Sequence, residues 1–280
     1  MSIYLRPETV DDALAALAQA PLTIIAGGTD FYPARVGRPL DDDVLDITRL
    51  GELRGIEEDS RSFRIGALTT WTDVTETPLP VWFDGLKAAA REIGGAQIQN
   101  VATVAGNLCN ASPAADGVPV LMSLDASIEL ASTRGRRSVP VTEFITGNRQ
   151  TGRAQDEMVT AICVPKPGRP ARAEFLKLGA RRYLVISIAM VAAAVEMSPG
   201  GRVAAARIAV GSCSAVAQRL GALENDLLGK AVCTTLGETA RADHLAGLTP
   251  IDDVRGTGAY RRDAALALVR RALNRLGKPA

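Results

Sequence analysis

The stretch LTIIAGGTD, Leu22 to Asp30, sets an apolar run directly against two glycines, a hydroxyl and a carboxylate. A chain that builds a buried strand and discards its side chains at once frees its backbone for a left-handed turn, or for an approach that no Cβ would allow. Gly27 and Gly28 can present consecutive N–H groups, the nest that holds a phosphate without a basic side chain, and Thr29 adds a hydroxyl donor. The same residues also end ordinary strands, so this loop alone has two readings. Neither the G-x-G-x-x-G of dinucleotide-binding βαβ units nor the G-x-x-x-x-G-K-[ST] phosphate loop fits, so a nicotinamide site of the usual kind is not indicated.

A second stretch, NVATVAGNLCNASPAADGVPVLMSLDA from Asn100 to Ala126, replaces the large side chains of a core with small, hydroxyl and amide residues. That leaves backbone groups open to a flat, polar, phosphate-bearing ligand. Asp116, at the threshold of a short helix, suits either the hydrogen bonds of a ribose diol or an N-cap. Two nests and an acid together suit a dinucleotide whose pyrophosphate sits between the loops.

Composition removes most other chemistries. Lys plus Arg (32) nearly cancels Asp plus Glu (31), so there is no broad positive field for nucleic acid or anionic membrane. Cys109, Cys163, Cys213 and Cys233 form no C-x-x-C pair, and His244 is the single histidine. Zinc, haem, iron-sulfur and Cys/His nucleophile sites draw on residues this chain barely has. GSCSA, Gly211 to Ala215, lacks the final glycine of a nucleophile elbow. Redox or group-transfer chemistry here must therefore rest on a bound organic cofactor. Acidic residues near the N-terminus argue against a signal peptide, and the most apolar stretch, Leu184 to Met197, is too short to span a bilayer. A soluble, cytoplasmic protein is expected.

Thr9 is placed to cap a helix from about Val10 to Ala20, which Pro21 stops. DVLDI (Asp43 to Ile47) reads as a second short strand with parallel pairing possible. SFRIGALTTW (Ser62 to Trp71) reads as strand into turn, and DGLKAAAREIG (Asp84 to Gly94) as helix. A short helix near Pro119 to Leu124 precedes the β-rich SIELAS, RRSVPV and EMVTAICVP. PKPGRPA, Pro165 to Ala171, is the best domain boundary. Beyond it come strand EFLKLG, the long apolar segment from Leu184, strand RVAAARIAVG, and helices near Ala215 to Leu228, Val232 to Asp243 and Tyr260 to Leu276.

The two loops, in this order and separation, resemble the FAD-binding medium subunit of molybdenum hydroxylases, the family of xanthine dehydrogenase and carbon monoxide dehydrogenase. AGGTD resembles the family's first pyrophosphate loop, and QIQNVATVAGNLCNASPAADGVP (Gln97 to Pro119) its second. FLKLGARRYLVISI (Phe175 to Ile188) resembles its flavin-contacting strand, and DDVRGTGAYRRDAALALVRRAL (Asp252 to Leu273) the end of its C-terminal domain. The chain departs at Ala105, where the family more often has glycine. The resemblance implies that Ile24, Ile25, Ala26, Gly27, Gly28, Thr29 and Asp30 bind the pyrophosphate with Thr103, Val104, Ala105, Gly106 and Asn107. It puts Asp116 at the ribose or adenosine part of FAD, and Lys177 and the backbone near Val159 toward the isoalloxazine. A Lys177 ammonium there would stabilise an anionic reduced flavin and raise its potential; from the residues alone it reads equally as an exposed strand lysine. Tyr183 belongs either near the ring or in the core.

The fold so implied is α+β: a two-subdomain FAD-binding domain of the vanillyl-alcohol-oxidase/PCMH type, residues 1–168 with subdomains about 1–57 and 58–168. A C-terminal α+β domain with a three-stranded antiparallel sheet follows over 172–280. The function implied is that of an electron-transfer oxidoreductase subunit carrying FAD, with no catalytic acid or base and no metal of its own. Its partners would be a molybdopterin-containing large subunit and an iron-sulfur small subunit, in a dimer of heterotrimers. Two alternatives stay open: a self-contained flavoprotein oxidoreductase of the same fold, and a scaffold subunit whose loops are merely structural.

Overall fold

In the computed structural model, which describes residues 2–278, Thr9 opens the first helix by accepting a hydrogen bond from the Asp12 N–H at 3.1 Å. That satisfies one of the helix's orphan donors. Helix α1 (Val10–Gln19) buries Val10, Ala13, Leu14 and Leu17, the i, i+3, i+4, i+7 stripe of an amphipathic helix. It follows strand β1 (Tyr4–Leu5) and leads to β2 (Thr23–Ile25) and β3 (Val44–Asp46). These three strands form a parallel sheet in the order β1-β3-β2. The AGGTD turn leaves from the carboxyl end of β2, where ligands meet parallel sheets.

The next unit is antiparallel. Strands β4 (Ile56–Glu58) and β5 (Ser62–Gly66) precede two helices, α2 (Trp71–Glu76) and α3 (Asp84–Glu92). A single turn α4 (Ala96–Gln99) leads into the second small-residue stretch, which holds α5 (Val104–Asn110) and α6 (Gly117–Ser123). The chain continues through β6 (Ser127–Ser132), β7 (Gly135–Pro140), turn α7 (Val141–Phe144), β8 (Ile145–Gly147), β9 (Gln150–Thr151) and β10 (Met158–Pro165). The sheet order is β4-β5-β10-β6-β7, which makes β10 the central strand. Its residues from Met158 to Ile162 are buried without interruption, because both faces of the sheet are covered.

The third unit holds β11 (Ala171–Leu178), β12 (Ala189–Met197) and β13 (Val203–Gly211), a two-residue β14 (Gln218–Arg219), and helices α8 (Gly221–Leu227) and α9 (Gly258–Leu276). Three long strands make the expected antiparallel sheet, and β14 extends it to four in the order β11-β12-β13-β14. The apolar segment from Leu184 resolves into loop and β12. Alternate residues of β12 enter different cores: Met190 and Ala192 join the core of the first 165 residues, while Ala189, Val191, Ala193 and Val195 join the one under α8 and α9. Helices α3 and α6 pack on one face of this sheet, and α9 on the other.

Two helices expected here do not form as drawn. The Ala215–Leu228 segment gives β14 first and helix only from Gly221, because Gln218 and Arg219 pair with β13. Val232–Asp243 gives two 3-10 turns, Leu236–Thr239 and Ala242–Leu245. Gly237 packs against the α9 backbone and its N–H donates to Asn274 Oδ1 at 2.7 Å, so docking decides the local conformation. The single histidine, His244, serves this corner: Nδ1 accepts from the Arg241 N–H at 3.0 Å and Nε2 lies 3.1 Å from Asp226 Oδ2. No helix among the described residues is long and apolar enough to cross a membrane.

Candidate functional site

The two small-residue stretches meet. A Cβ on Gly27 would lie 2.6 Å from the Val101 carbonyl carbon, closer still to its oxygen, and 3.0 Å from Ala102 Cα. All of these are backbone atoms, so only glycine admits this approach. Gly28 has a different reason to be glycine, a φ of +65°. Among the described residues, the N–H groups of Gly27, Gly28 and Thr29 donate to no protein acceptor. The opposite wall begins at Thr103, whose Oγ1 accepts from the Gly106 N–H at 2.9 Å and caps α5. Gly106 is therefore helical, and Ala105 in the same turn is buried and helical too. The alanine that departs from the family pattern meets no left-handed backbone there.

Between these walls lies a cleft of about 440 Å³, within the range of sites that hold small molecules. Ile24, Ile25, Ala26, Gly27, Gly28, Thr29 and Asp30 line one side, and Thr103, Gly106 and Asn107 the other. Val104 and Ala105 point into the core behind it. Asp116, Val159 and Lys177 do not line it. Val159 is buried in β10 opposite Leu130, at a bulge.

Asp116 and Lys177 meet each other instead. Lys177 Nζ donates to Asp116 Oδ2 at 2.6 Å, Ser187 Oγ donates to Asp116 Oδ1 at 2.6 Å, and both side chains of the ion pair are 6% exposed. Lys177 is thus no surface lysine, and Asp116 makes no side-chain cap on α6. Burial pushes the Asp116 carboxyl above its ordinary value, against the pull of the Lys177 ammonium. The pair sits just behind the cleft wall: Gly117 adjoins Trp71 and Asn107, and Lys177 Nζ reaches the carbonyl of Glu92, next to the cleft residue Ile93. As a pair it carries no net charge, so its field in the cleft is that of a dipole rather than of the lone cation first expected. Tyr183 is 60% exposed, which removes the core alternative for it.

Several cleft residues were not among the site residues read from the sequence. Trp71, Ile93, Ile98, Arg35 and Arg149 all line it. Arg35 forms an ion pair with Asp42 at 2.5 Å and stacks on Phe31. Arg149 is placed by a left-handed backbone, φ +56°, and by bonds to Asn110 Oδ1 and the Ala111 carbonyl. Free backbone donors and a glycine cradle that a Cβ would fill fit an oxyanion-bearing dinucleotide, and two buried atoms of the same wall, Trp71 Nε1 and Asn107 Oδ1, have no partner among the described residues.

Comparison with known proteins agrees with that donor set. Residues 1–167 match the family described as the FAD binding domain in molybdopterin dehydrogenase, and residues 174–276 match the CO dehydrogenase flavoprotein C-terminal domain. The nicotinate dehydrogenase FAD-subunit of Eubacterium barkeri is 35% identical over 71% of this chain and 70% of the relative. The carbon monoxide dehydrogenase medium chain of Hydrogenophaga pseudoflava is 30% identical over 97% of this chain and 95% of its own. The solved carbon monoxide dehydrogenase of that organism, lacking the Mo-pyranopterin moiety of its cofactor, superposes with a TM-score of 0.89 at 30% identity, covering 98% of this chain and 96% of that one. Quinoline 2-oxidoreductase of Pseudomonas putida 86 gives 0.88 at 26% identity, covering 99% and 97%.

Proposed function

The chain belongs to the FAD-binding family of molybdopterin dehydrogenases, and from that premise we propose that it is the FAD-carrying medium subunit of a molybdenum-containing hydroxylase. It receives electrons from the iron-sulfur clusters of a small partner subunit, downstream of a molybdopterin-containing large subunit, and delivers them to a terminal acceptor. The complex is a cytoplasmic dimer of heterotrimers. FAD is held by residues 1–168, in subdomains 1–57 and 58–168, and residues 172–280 form the C-terminal domain. The relatives are named subunits or medium chains, which disfavours a self-contained oxidoreductase.

The observation that carries the reading is the abutment of Gly27 on Val101, which brings both loops to one cleft. Bound FAD supplies electron exchange. The work of this chain is to bind, orient and shield. The N–H groups of Gly27, Gly28 and Thr29 face the diphosphate, with the Thr29 hydroxyl beside them and Asp30 closing the turn. Thr103, Gly106 and Asn107 form the facing wall, and Ile24, Ile25 and Ala26 with Ile93 and Ile98 exclude water. Val104 and Ala105 hold α5 in place from the core side. Asp116 and Lys177 hold a charged but neutralised backing behind the wall, and Val159 supports it from β10. The experiment is a titration of purified chain with FAD, followed by flavin absorbance and fluorescence. One FAD per chain is expected; folded protein that takes up none refutes the reading.

A further inference from the structure

Among the described residues, two buried polar atoms of the cleft wall have no hydrogen-bond partner: Trp71 Nε1 and Asn107 Oδ1. One is an obligate donor and the other an acceptor. Their side chains are neighbours, since a Cβ on Gly117 would sit 2.6 Å from Trp71 Cη2 and 2.9 Å from Asn107 Oδ1. The absent side chain of Gly117 is what lets indole and amide share that space. Trp71 is wholly buried at the start of α2. The reciprocal cap between Thr70 and Asp73 fixes it there, as does the bond from its own backbone N–H to the Ala102 carbonyl at 3.2 Å. Asn107 rides on the first turn of α5, its N–H donating to the Thr103 carbonyl at 3.1 Å. Folded proteins leave few such groups unpaired, and each instance calls for a reason.

We propose that Trp71 is a positioning residue for the cofactor site: its indole N–H closes on Asn107 Oδ1 when the cleft is filled, fixing the amide with its oxygen inward and its two N–H donors toward the cleft. The proposal rests on the reading of this cleft as the seat of the FAD diphosphate. A carboxamide fits its space either way round. Turned the other way, it would set its own N–H groups against the indole N–H, donor against donor, and aim its oxygen at an oxyanion. Tryptophan therefore penalises the orientation an anionic ligand cannot use. A phenylalanine would fill the same volume without choosing between the two.

Trp71→Phe keeps the ring packing and removes the donor. The FAD dissociation constant of the purified chain is expected to rise about three- to tenfold, the range of one neutral hydrogen bond. Asn107→Ala weakens binding on its own, and Trp71→Phe in that background adds nothing further, since the two act as one unit. The chain has two tryptophans, so wild-type protein shows two indole N–H resonances. The one from Trp71 is expected to move downfield and exchange slowly on FAD addition, while that of Trp82 stays put. Unchanged affinity in Trp71→Phe, the same loss in both backgrounds, or an unmoved Trp71 resonance overturns the proposal. The resonance is read on the wild-type chain and decides the matter if the variant fails to fold. Those results with FAD bound remove this proposal alone; wild-type chain that takes up no FAD removes the cleft reading and this proposal with it.

Discussion

Replacing Gly27 by alanine tests the meeting of the two loops directly. The added methyl would enter the van der Waals space of Val101 C and Ala102 Cα, at 2.6 and 3.0 Å, and press harder still on the Val101 oxygen. None of these atoms belongs to a flexible side chain, so the loops must part by a substantial fraction of an ångström. Overpacking of this kind costs about 1–3 kcal/mol, which for a chain of this size corresponds to a fall in Tm of roughly 2–5 °C. The larger effect falls on the ligand. Moving one wall misaligns donors on both, and each charge-assisted hydrogen bond lost is worth about 1.5–3 kcal/mol. FAD affinity should therefore drop about ten- to a hundredfold or more, read by calorimetric titration of the apo chain. Gly221→Ala is the control: no atom lies within 4 Å of its Cβ position, and its melting point should match or slightly exceed that of wild type. Gly27→Ala with wild-type stability and affinity would falsify the claim that backbone contact between the loops shapes the site.

Three further outcomes follow from named groups. Lys177→Met leaves the Asp116 carboxylate buried without its cation and should cost about 3–5 kcal/mol in urea unfolding, most of it recovered in Lys177→Met/Asp116→Asn; equal losses in both would show that packing, not charge, is at stake. Asp253 has its carboxyl held down to about 2 by the Arg255 N–H and by the Arg261 and Arg255 guanidinium groups, against 3.8 ordinarily. Because the folded value is the lower one, its stabilisation is full above the unfolded value and disappears as pH falls through about 2. The Tm gap between wild type and Asp253→Asn should therefore be constant from pH 6 to 5 and close on acidification toward pH 2. Among the thiols, exposed Cys233, lowered by its hydrogen bonds to Thr235, should react with a disulfide reagent at pH 8 well before Cys213, which is wholly buried and pushed up to about 11; a slow Cys233→Ser variant and an unchanged Cys213→Ser variant would identify them.

What could be read in the chain was local. Thr9, the spacing of Val10 to Leu17, and the apolar run ending at Gly27 announce α1, β2 and the first wall through caps and periodicity alone. Gly27 and Gly28 look alike as letters yet are glycine for separate reasons, one for proximity and one for φ, and only coordinates divide them. The second wall read as open loop but is capped helix, because Thr103 two positions before Ala105 supplies an N-cap within a run of small residues that mask helical periodicity. Asp116 and Lys177 were each singled out, but their pairing spans 61 residues of sequence and no local pattern encodes it. Trp71 carried no signal, since a tryptophan after a strand reads as core, and it is core as well as cleft wall. The misdrawn helices between Ala215 and Asp243 fail where Gly237 and β14 answer to distant partners rather than to their neighbours.

Strand β12 contributes to two interiors at once, Met190 and Ala192 to one and Val191 and Ala193 to the other. Neither half of this polypeptide is therefore an interchangeable module: excising the C-terminal part opens holes in the flavin half, and exchanging it for another must match volumes along a single ribbon, residue by alternate residue. Heat should dissolve both halves in one cooperative event. The cofactor seat and the distal helices have been welded into a joint inheritance, in which neither side drifts without the other.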